Sequence, residues 1–476
     1  MLTANSPAGS KPNTVDLPTV TRLLNRLRKL IESDLHTRLS TFLFSKDDLN
    51  DWVGCLGGHP QTHTPNIDRL ASRGMLFTNA HCQGTMCNPS RISLLWGQRP
   101  STTGFYDNHY HVAKHPEFLK SHVSLPEHFA ANGYKTLTTG KVFHGGVNLK
   151  QQFHVVGPRS GQWLKGLDKK VQNKPKGWHS TWDFGPQDYA KSKFTDHVVA
   201  TWVTEQLGIK HGKPIFLACG FYRPHVPFFP PRDVYDSLKD VQLPRVDDND
   251  WSDIPDAARD VSMSNLKIPT HDWMREKGRW KEAVQCYLAC VRWTDEQIGR
   301  VLDALDHSPH AKNTIIVLFS DHGYHLGEKQ RWSKFSLWER TTRVPLIISV
   351  PNGIKGKTNK PVELLSLYPT LIDLCGLPEN PKLEGISLQP LLENPKADWK
   401  HAAISTLGQN NHAVRDERWR YIRYADGSEE LYDHQNDPNE WHNLAARALS
   451  PADTKVIERL RLKLPKTNLP QRKGTN

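Results

Sequence analysis

Six short apolar runs recur along the chain: STFLFS from Ser40, MLFTNA from Met75, YKTLTTG from Tyr134, PIFLACG from Pro214, NTIIVLFSD from Asn313 and VPLIISV from Val344. Each has the length of one buried strand, and stretches with helical spacing separate them, the longest from Trp280 to Leu305. One helix is expected from Thr64-Pro65 through Ser72, with proline in the tolerated first position and Gly74 as its stop. Strands alternating with helices predict an α/β domain: a large, mostly parallel sheet flanked by helices. Ligand sites in such sheets lie beyond the C-terminal ends of the strands. Residues that follow the apolar runs are therefore the first candidates for function.

Past Gly376 the texture changes to proline-rich loops and the short strand candidates HAAISTL, WRYIRY and EELYD, with Asp426-Gly427 marking a hairpin turn. These predict a smaller antiparallel sheet beside the main domain. The expected organisation is an N-terminal extension over 1–40, the α/β domain over 41–376, a smaller C-terminal subdomain over 377–464 and a polar tail over 465–476. Within it, residues 21–38 read as a basic amphipathic helix and 453–464 as a final helix, and the tail is expected to be disordered.

Lys and Arg total 62 against 50 Asp and Glu, a net charge of +12 that concentrates anionic ligands. No zinc-finger spacing, RNP motif or repeated basic helix points to nucleic acid. An anionic polysaccharide would feel the same field, and so would a merely solvated surface. No run of about 18 apolar residues occurs, so no segment is expected to span a membrane. The first twenty residues lack the basic-then-apolar order of a secretory signal, so compartment stays open. The seven cysteines do not form a disulfide framework, and Cys286 and Cys290 read as buried helix thiols.

The sharpest local signal is Cys87-Asn88-Pro89-Ser90-Arg91 with Gly97 downstream. Alone, it would pass for an ordinary buried cysteine beside a helix start. Its company argues otherwise. Asp47 and Asp48 follow the first apolar run, and Asp321-His322-Gly323 follows TIIVLFS, so two strand ends supply hard oxygen ligands and an imidazole. That donor set suits calcium, or magnesium as second choice, more than zinc. Lys141 and His144 sit in GKVFH, His225 in RPHVPF and Lys334 in WSKFS. Trp96, Trp332 and Trp338 read as core, and His325 follows the DHG motif closely enough to face the cleft.

C-x-P-S-R with the downstream glycine resembles the signature of type I sulfatases, in which the cysteine is oxidised to formylglycine. The longer similarity is to the iduronate-2-sulfatase branch, over DDLNDWVGCLGGHPQTHTPNIDRLASRGMLFTNAHCQGTMCNPSR, TTGKVFH, FLACGFYRPHVPF, SDHGYHLGEKQRWSKFS and RYADGSEELYDHQNDPNEWHNLA, from about Phe42 to Leu444. The resemblance implies an alkaline-phosphatase-like fold and a sulfuric ester hydrolase acting on an anionic, sulfated saccharide. It implies Cys87 as the modified nucleophile and a formylglycine-generating enzyme as maturation partner. Asp47, Asp48, Cys87, Asp321 and His322 would hold Ca2+, with Arg91, Lys141, His144, His225 and Lys334 around the sulfate. Relatives are usually exported or lysosomal. One departure stands out: Ser45-Lys46 interrupts the apolar run that normally reaches the first aspartate pair.

The implied chemistry is coherent. A sulfate ester is an anion that repels nucleophiles, so cations must neutralise it. Hydrated formylglycine offers two hydroxyls: one attacks sulfur, His225 or Lys334 protonates the departing alcohol, and His144 takes the second hydroxyl's proton so that sulfate leaves. Two alternatives compete with this reading. One is a phosphate or phosphonate monoester hydrolase of the same superfamily; the other is a non-catalytic binder of anionic glycans.

Overall fold

The computed structural model describes residues 38–109, 111–145, 149–159, 161, 170, 171, 179, 181–263 and 268–473. The chain divides into two compact units, Met1–Arg38 and Leu39–Asn476. Residues 21–37 of the expected basic helix lie outside the described residues.

Eight strands form the large sheet: β1 (Ser40–Lys46), β2 (Met75–Phe77), β3 (Lys135–Gly140), β4 (Val155–Val156), β5 (Ile215–Gly220), β6 (Thr314–Ser320), β7 (Leu346–Ser349) and β8 (Gly356–Thr358). Their order is β8-β2-β7-β6-β1-β5-β3-β4. All six apolar runs are strands of this sheet. Only β7 runs against the rest, pairing antiparallel with both β6 and β2, so the sheet is mixed but mostly parallel. Its centre is sealed on both faces. Phe42, Phe44, Leu217 and Leu318 point into one apolar cluster, whereas Leu43, Phe216, Val317 and Phe319 point into another, as period-two alternation requires.

The first cluster is closed by α1 (Pro65–Arg73), by α3 (Thr195–Leu207) and by α4 (Trp280–Asp306), which carries the buried Cys286 and Cys290. The second is closed by α2 (Cys87–Trp96) and α5 (Leu367–Leu374). Trp96, Trp332 and Trp338 are core residues, each 1% exposed.

A second sheet of four antiparallel strands follows in simple order: β9 (Ala403–Thr406), β10 (His412–Arg415), β11 (Trp419–Arg423) and β12 (Glu429–Asp433). Strand β10, HAVR, was absent from the sequence-based expectation; four residues with two polar members give too little alternation to register. Asp426-Gly427 makes the hairpin between β11 and β12, with Gly427 at φ 93° and the Asp426 carboxylate accepting from the Ser428 amide at 2.9 Å. Helix α6 (Pro451–Arg461) packs Ile457 and Leu460 on Val414, Tyr421 and Leu431.

The tail corrects an expectation. Through Lys473 it is ordered against the main body: the Leu469 amide donates to the Ser101 carbonyl and the Arg472 amide to the Gly104 carbonyl, both at 2.8 Å. The Arg472 guanidinium lies 5.3 and 5.5 Å from the ring centroids of Phe105 and Phe118. Polar composition announced solvation, but backbone pairing and cation–π contact need no apolar run.

Candidate active site

Four adjacent strands deliver the sequence-predicted residues to one edge of the sheet. In register, Lys46 lies beside Ser320, Ser45 beside Gly220, and Gly220 beside Gly140. The chain then leaves β1 as Asp47-Asp48, β6 as Asp321-His322, β3 as Lys141 through His144, and β5 toward His225. Gly140 permits this convergence: it sits at φ 72°, and a Cβ there would fall 1.9 Å from the Gly220 carbonyl oxygen.

Helix α2 enters from the second layer with Cys87 as its first residue. Position 87 thus lies at a helix N-terminus, where unpaired amides and the macrodipole favour negative charge. One turn on, buried Arg91 ties the strand ends together. Its Nε donates to Asp321 Oδ2 at 2.9 Å, its Nη2 to Asp47 Oδ1 at 3.1 Å, and its Nη1 to Ser45 Oγ at 3.0 Å and the Lys141 carbonyl at 2.6 Å.

Three nitrogens converge on the Cys87 sulfur: Lys334 Nζ at 3.0 Å, His322 Nε2 at 3.3 Å and Lys141 Nζ at 3.8 Å. His144 adds an electrostatic interaction with the same atom. Lys334 also donates to Asp48 Oδ1 at 2.7 Å, and Lys141 pairs with Asp47. His225 Nε2 stands 3.9 Å from Asp48 Oδ2, with its Nδ1 held 2.6 Å from the Val226 carbonyl. All ten predicted residues therefore meet in one site.

The electrostatics follow from burial opposed by neighbours. Burial would raise the Cys87 thiol, yet Lys141, Lys334, His322 and His144 outweigh it and pull the thiol well below its usual range. Burial and Cys87 would likewise raise Asp47, but Lys141, His225 and Arg91 hold it below the usual carboxylate range. Asp321 goes the other way: burial lifts it to about 7 against the pull of Arg91 and His322.

A divalent cation fits the residues present. Asp47, Cys87, Asp321 and His322 bring ligand atoms within 4.8 Å of one another, as do Asp47, Asp48, Cys87 and His225. Asp48 sits at φ 60° with Oδ2 buried and without a hydrogen-bond partner among the described residues. A carboxylate oxygen left so is costly unless a cation meets it.

Several contributors carried no sequence signal. The Ser45-Lys46 interruption, plain in the sequence, is not one of them: β1 continues through both residues, and Ser45 Oγ accepts from Arg91 rather than marking a flaw in the strand. Ser320 Oγ accepts from the Leu49 amide at 2.9 Å, Tyr287 donates to the Asp48 carbonyl at 2.8 Å, and the Tyr222 ring lies 4.9 Å beneath Lys141 Nζ. Their roles come from residues distant in sequence. His325 does not face the cleft: it is buried, its Nε2 2.8 Å from Ser336 Oγ and its Nδ1 3.1 Å from the Glu328 carbonyl.

Residues 42–377 match the family model described as Sulfatase. The chain belongs to the sulfatase family. As a sulfatase it is a sulfuric ester hydrolase, and the family generally uses a formylglycine and a divalent metal. Residues 327–469 match a second model, N-sulphoglucosamine sulphohydrolase, C-terminal. This sulfatase is 40% identical over 439 residues to a sulfatase of Formosa agariphila, covering 89% of this chain and 85% of the relative. It is 33% identical over 399 residues to the iduronate 2-sulfatase of Mus musculus, covering 72% and 70%. Among solved structures, the phosphonate monoester hydrolase of Agrobacterium radiobacter superposes with a TM-score of 0.75 at 21% identity, over 90% of this chain and 97% of that one, a likeness of the alkaline-phosphatase-like fold.

Proposed function

We propose that this sulfatase removes sulfate from an anionic saccharide, with residue 87 as nucleophile once a formylglycine-generating enzyme has oxidised Cys87. The observation that carries the reading is the convergence of Lys334, His322 and Lys141 on one sulfur beside three buried carboxylates. The names of relatives support the substrate class: iduronate 2-sulfatase at 33% identity, and a delta 4,5-hexuronate-2-O-sulfatase at 28%.

Asp47, Asp48, Asp321 and His322, with residue 87, would hold Ca2+, and Mg2+ less well, because the donors are mostly carboxylate oxygens. Bound there, the ion would supply Lewis-acid polarisation and charge neutralisation. Lys141 and Lys334 flank residue 87 and neutralise the ester's charge as it arrives. Arg91 fixes Asp47 and Asp321 against that charge. His225, held from behind by the Val226 carbonyl, or Lys334 protonates the departing alcohol, and His144 takes the proton from residue 87 that releases sulfate.

Peptide mass spectrometry of active protein tests the reading, with aldehyde or its hydrate expected at position 87. Full activity with an unmodified thiol overturns it. Parallel rates on aryl sulfate and aryl phosphonate monoesters decide the ester class; sulfate is expected to be the faster substrate. Phosphonate preference would favour the superfamily alternative, and binding without turnover the non-catalytic one.

A further inference from the structure

The three imidazoles of the site are not held alike. His322 Nδ1 lies 3.0 Å from the Gly323 carbonyl and His225 Nδ1 2.6 Å from the Val226 carbonyl, so a backbone oxygen fixes the plane and tautomer of each ring. His144 has no such anchor. Its Nδ1 is buried and without a hydrogen-bond partner among the described residues, although the ring interacts electrostatically with Cys87. A ring that no carbonyl holds from behind can turn out of line, which costs rate wherever a proton must pass in a set direction.

What lies against its face is another imidazole. The rings of His111 and His144 are stacked with centroids 5.6 Å apart and planes 20° from parallel. Gly145 makes room: it sits at φ 55°, and a Cβ there would stand 3.3 Å from His111 Cε1. The loop that carries His111 is itself indexed to the nucleophile. Asn108 Oδ1 accepts from the Asn88 amide at 2.9 Å, and the Asp107 carbonyl accepts from Asn88 Nδ2 at 2.8 Å. Residue 87's immediate neighbour and the ring behind His144 thus share one support.

We infer that His111 is a positioning residue of the sulfatase reaction, holding the His144 ring by face contact so that it addresses residue 87. The inference rests on the proposed role of His144 and adds that an aromatic face, not a hydrogen bond, orients it. His111 is assigned no contact with the ester or with residue 87.

The test uses full-length mature enzyme and an activated aryl sulfate, with KM, kcat and the pre-steady-state burst of phenol as readouts. His111→Ala is expected to lower kcat about tenfold with KM nearly unchanged and the burst retained. His111→Phe, which keeps a flat face and removes both nitrogens, is expected to restore most of kcat; His111→Leu is not. A merely structural role would lower the active fraction, burst included, and leave the turnover of that fraction alone. Unchanged kcat in His111→Ala overturns the inference, as does a loss that Phe cannot rescue. His144→Ala separates the two levels: if it leaves turnover intact, the role of His144 fails, whereas slow turnover there beside normal turnover in His111→Ala removes only the inference about His111.

Discussion

Two buried charge clusters in this sulfatase look alike in composition and differ in what they leave unfinished. Around Cys87, three aspartates meet Arg91, Lys141, Lys334 and three histidines. Below the small sheet, Glu339 and Glu440 meet Arg415, Arg420 and His434; Arg420 Nε is 2.5 Å from Glu440 Oε1, and His434 Nε2 is 3.0 Å from the same oxygen. Both sets bring potential metal ligands together, the second as Glu339, His434 and Glu440. In that second cluster each carboxylate is met: Glu339 pairs with Arg420 and Arg415, and Glu440 Oε2 accepts from the Glu339 amide at 2.8 Å. In the first, Asp48 Oδ2 has no hydrogen-bond partner among the described residues, burial lifts Asp321, and the cations converge on one sulfur. A cluster with matched charges ties Arg415 and Arg420 of the small sheet to Glu339 and Glu440, whereas one with a spare oxygen and a shared target leaves an acceptor for a ligand.

The sharpest way to break the comparison is at the shared target. Cys87→Ala should reduce turnover by roughly 10⁴-fold or more, measured on an aryl sulfate, while thermal unfolding stays near wild type because three carboxylates still balance the cations. Retained turnover would end the claim that residue 87 is the nucleophile. Asp321→Asn comes next, with an expected loss of roughly 10³-fold in kcat/KM and of bound divalent ion by elemental mass spectrometry. Burial already disfavours the Asp321 charge, so its removal should cost little stability. A variant with full metal content would show that Asp321 is not a ligand.

The matched cluster should respond the other way. Glu440→Gln keeps shape and one acceptor but strips half the countercharge from Arg420, so unfolding free energy should fall by about 2 to 3 kcal/mol. Per folded molecule, kcat should stay within about twofold of wild type, as expected for a site that shares no ion-pair partner with the Cys87 cluster among the described residues. Denaturant titration and activity at low denaturant check both halves. A large fall in kcat with normal stability would mean that the two clusters are coupled.

Much of the first cluster was legible because its residues sit where sequence pattern speaks loudly: Asp47-Asp48 and Asp321-His322 end apolar runs, and Cys87 and Arg91 are one helical turn apart. The sheet was legible for the same reason, as each of its long central strands is a buried run. What escaped is what depends on tertiary approach. His111 is one of 24 histidines and precedes no strand; only the fold lays it on His144. Strand β10 and the ordered tail owe their places to pairing partners far away in sequence. Glu339 and Glu440, a hundred residues apart, gave no pattern at all.

The smallest expected effect concerns acid. Burial would raise Glu440, but Arg420 and the His434 bond hold it below the usual glutamate range; burial would raise Glu339 too, against the stronger pull of His434, Arg415 and Arg420. Depressed carboxylates bind protons more weakly folded than unfolded, so their contribution is full above the unfolded value of about 4.3 and is lost as pH falls through the folded values. Wild-type stability should therefore decline below about pH 4.3, and part of that slope should vanish in Glu440→Gln. Only part vanishes, because Glu339 keeps its depression and gains a larger share of Arg420 and His434 once Glu440 is neutral. Carboxylates elsewhere titrate in both proteins and cancel in the difference. Unfolding free energies by urea titration from pH 6 down to about 3.5 give the decision: converging curves support the assignment of acid sensitivity to this cluster, and curves that stay parallel place it elsewhere.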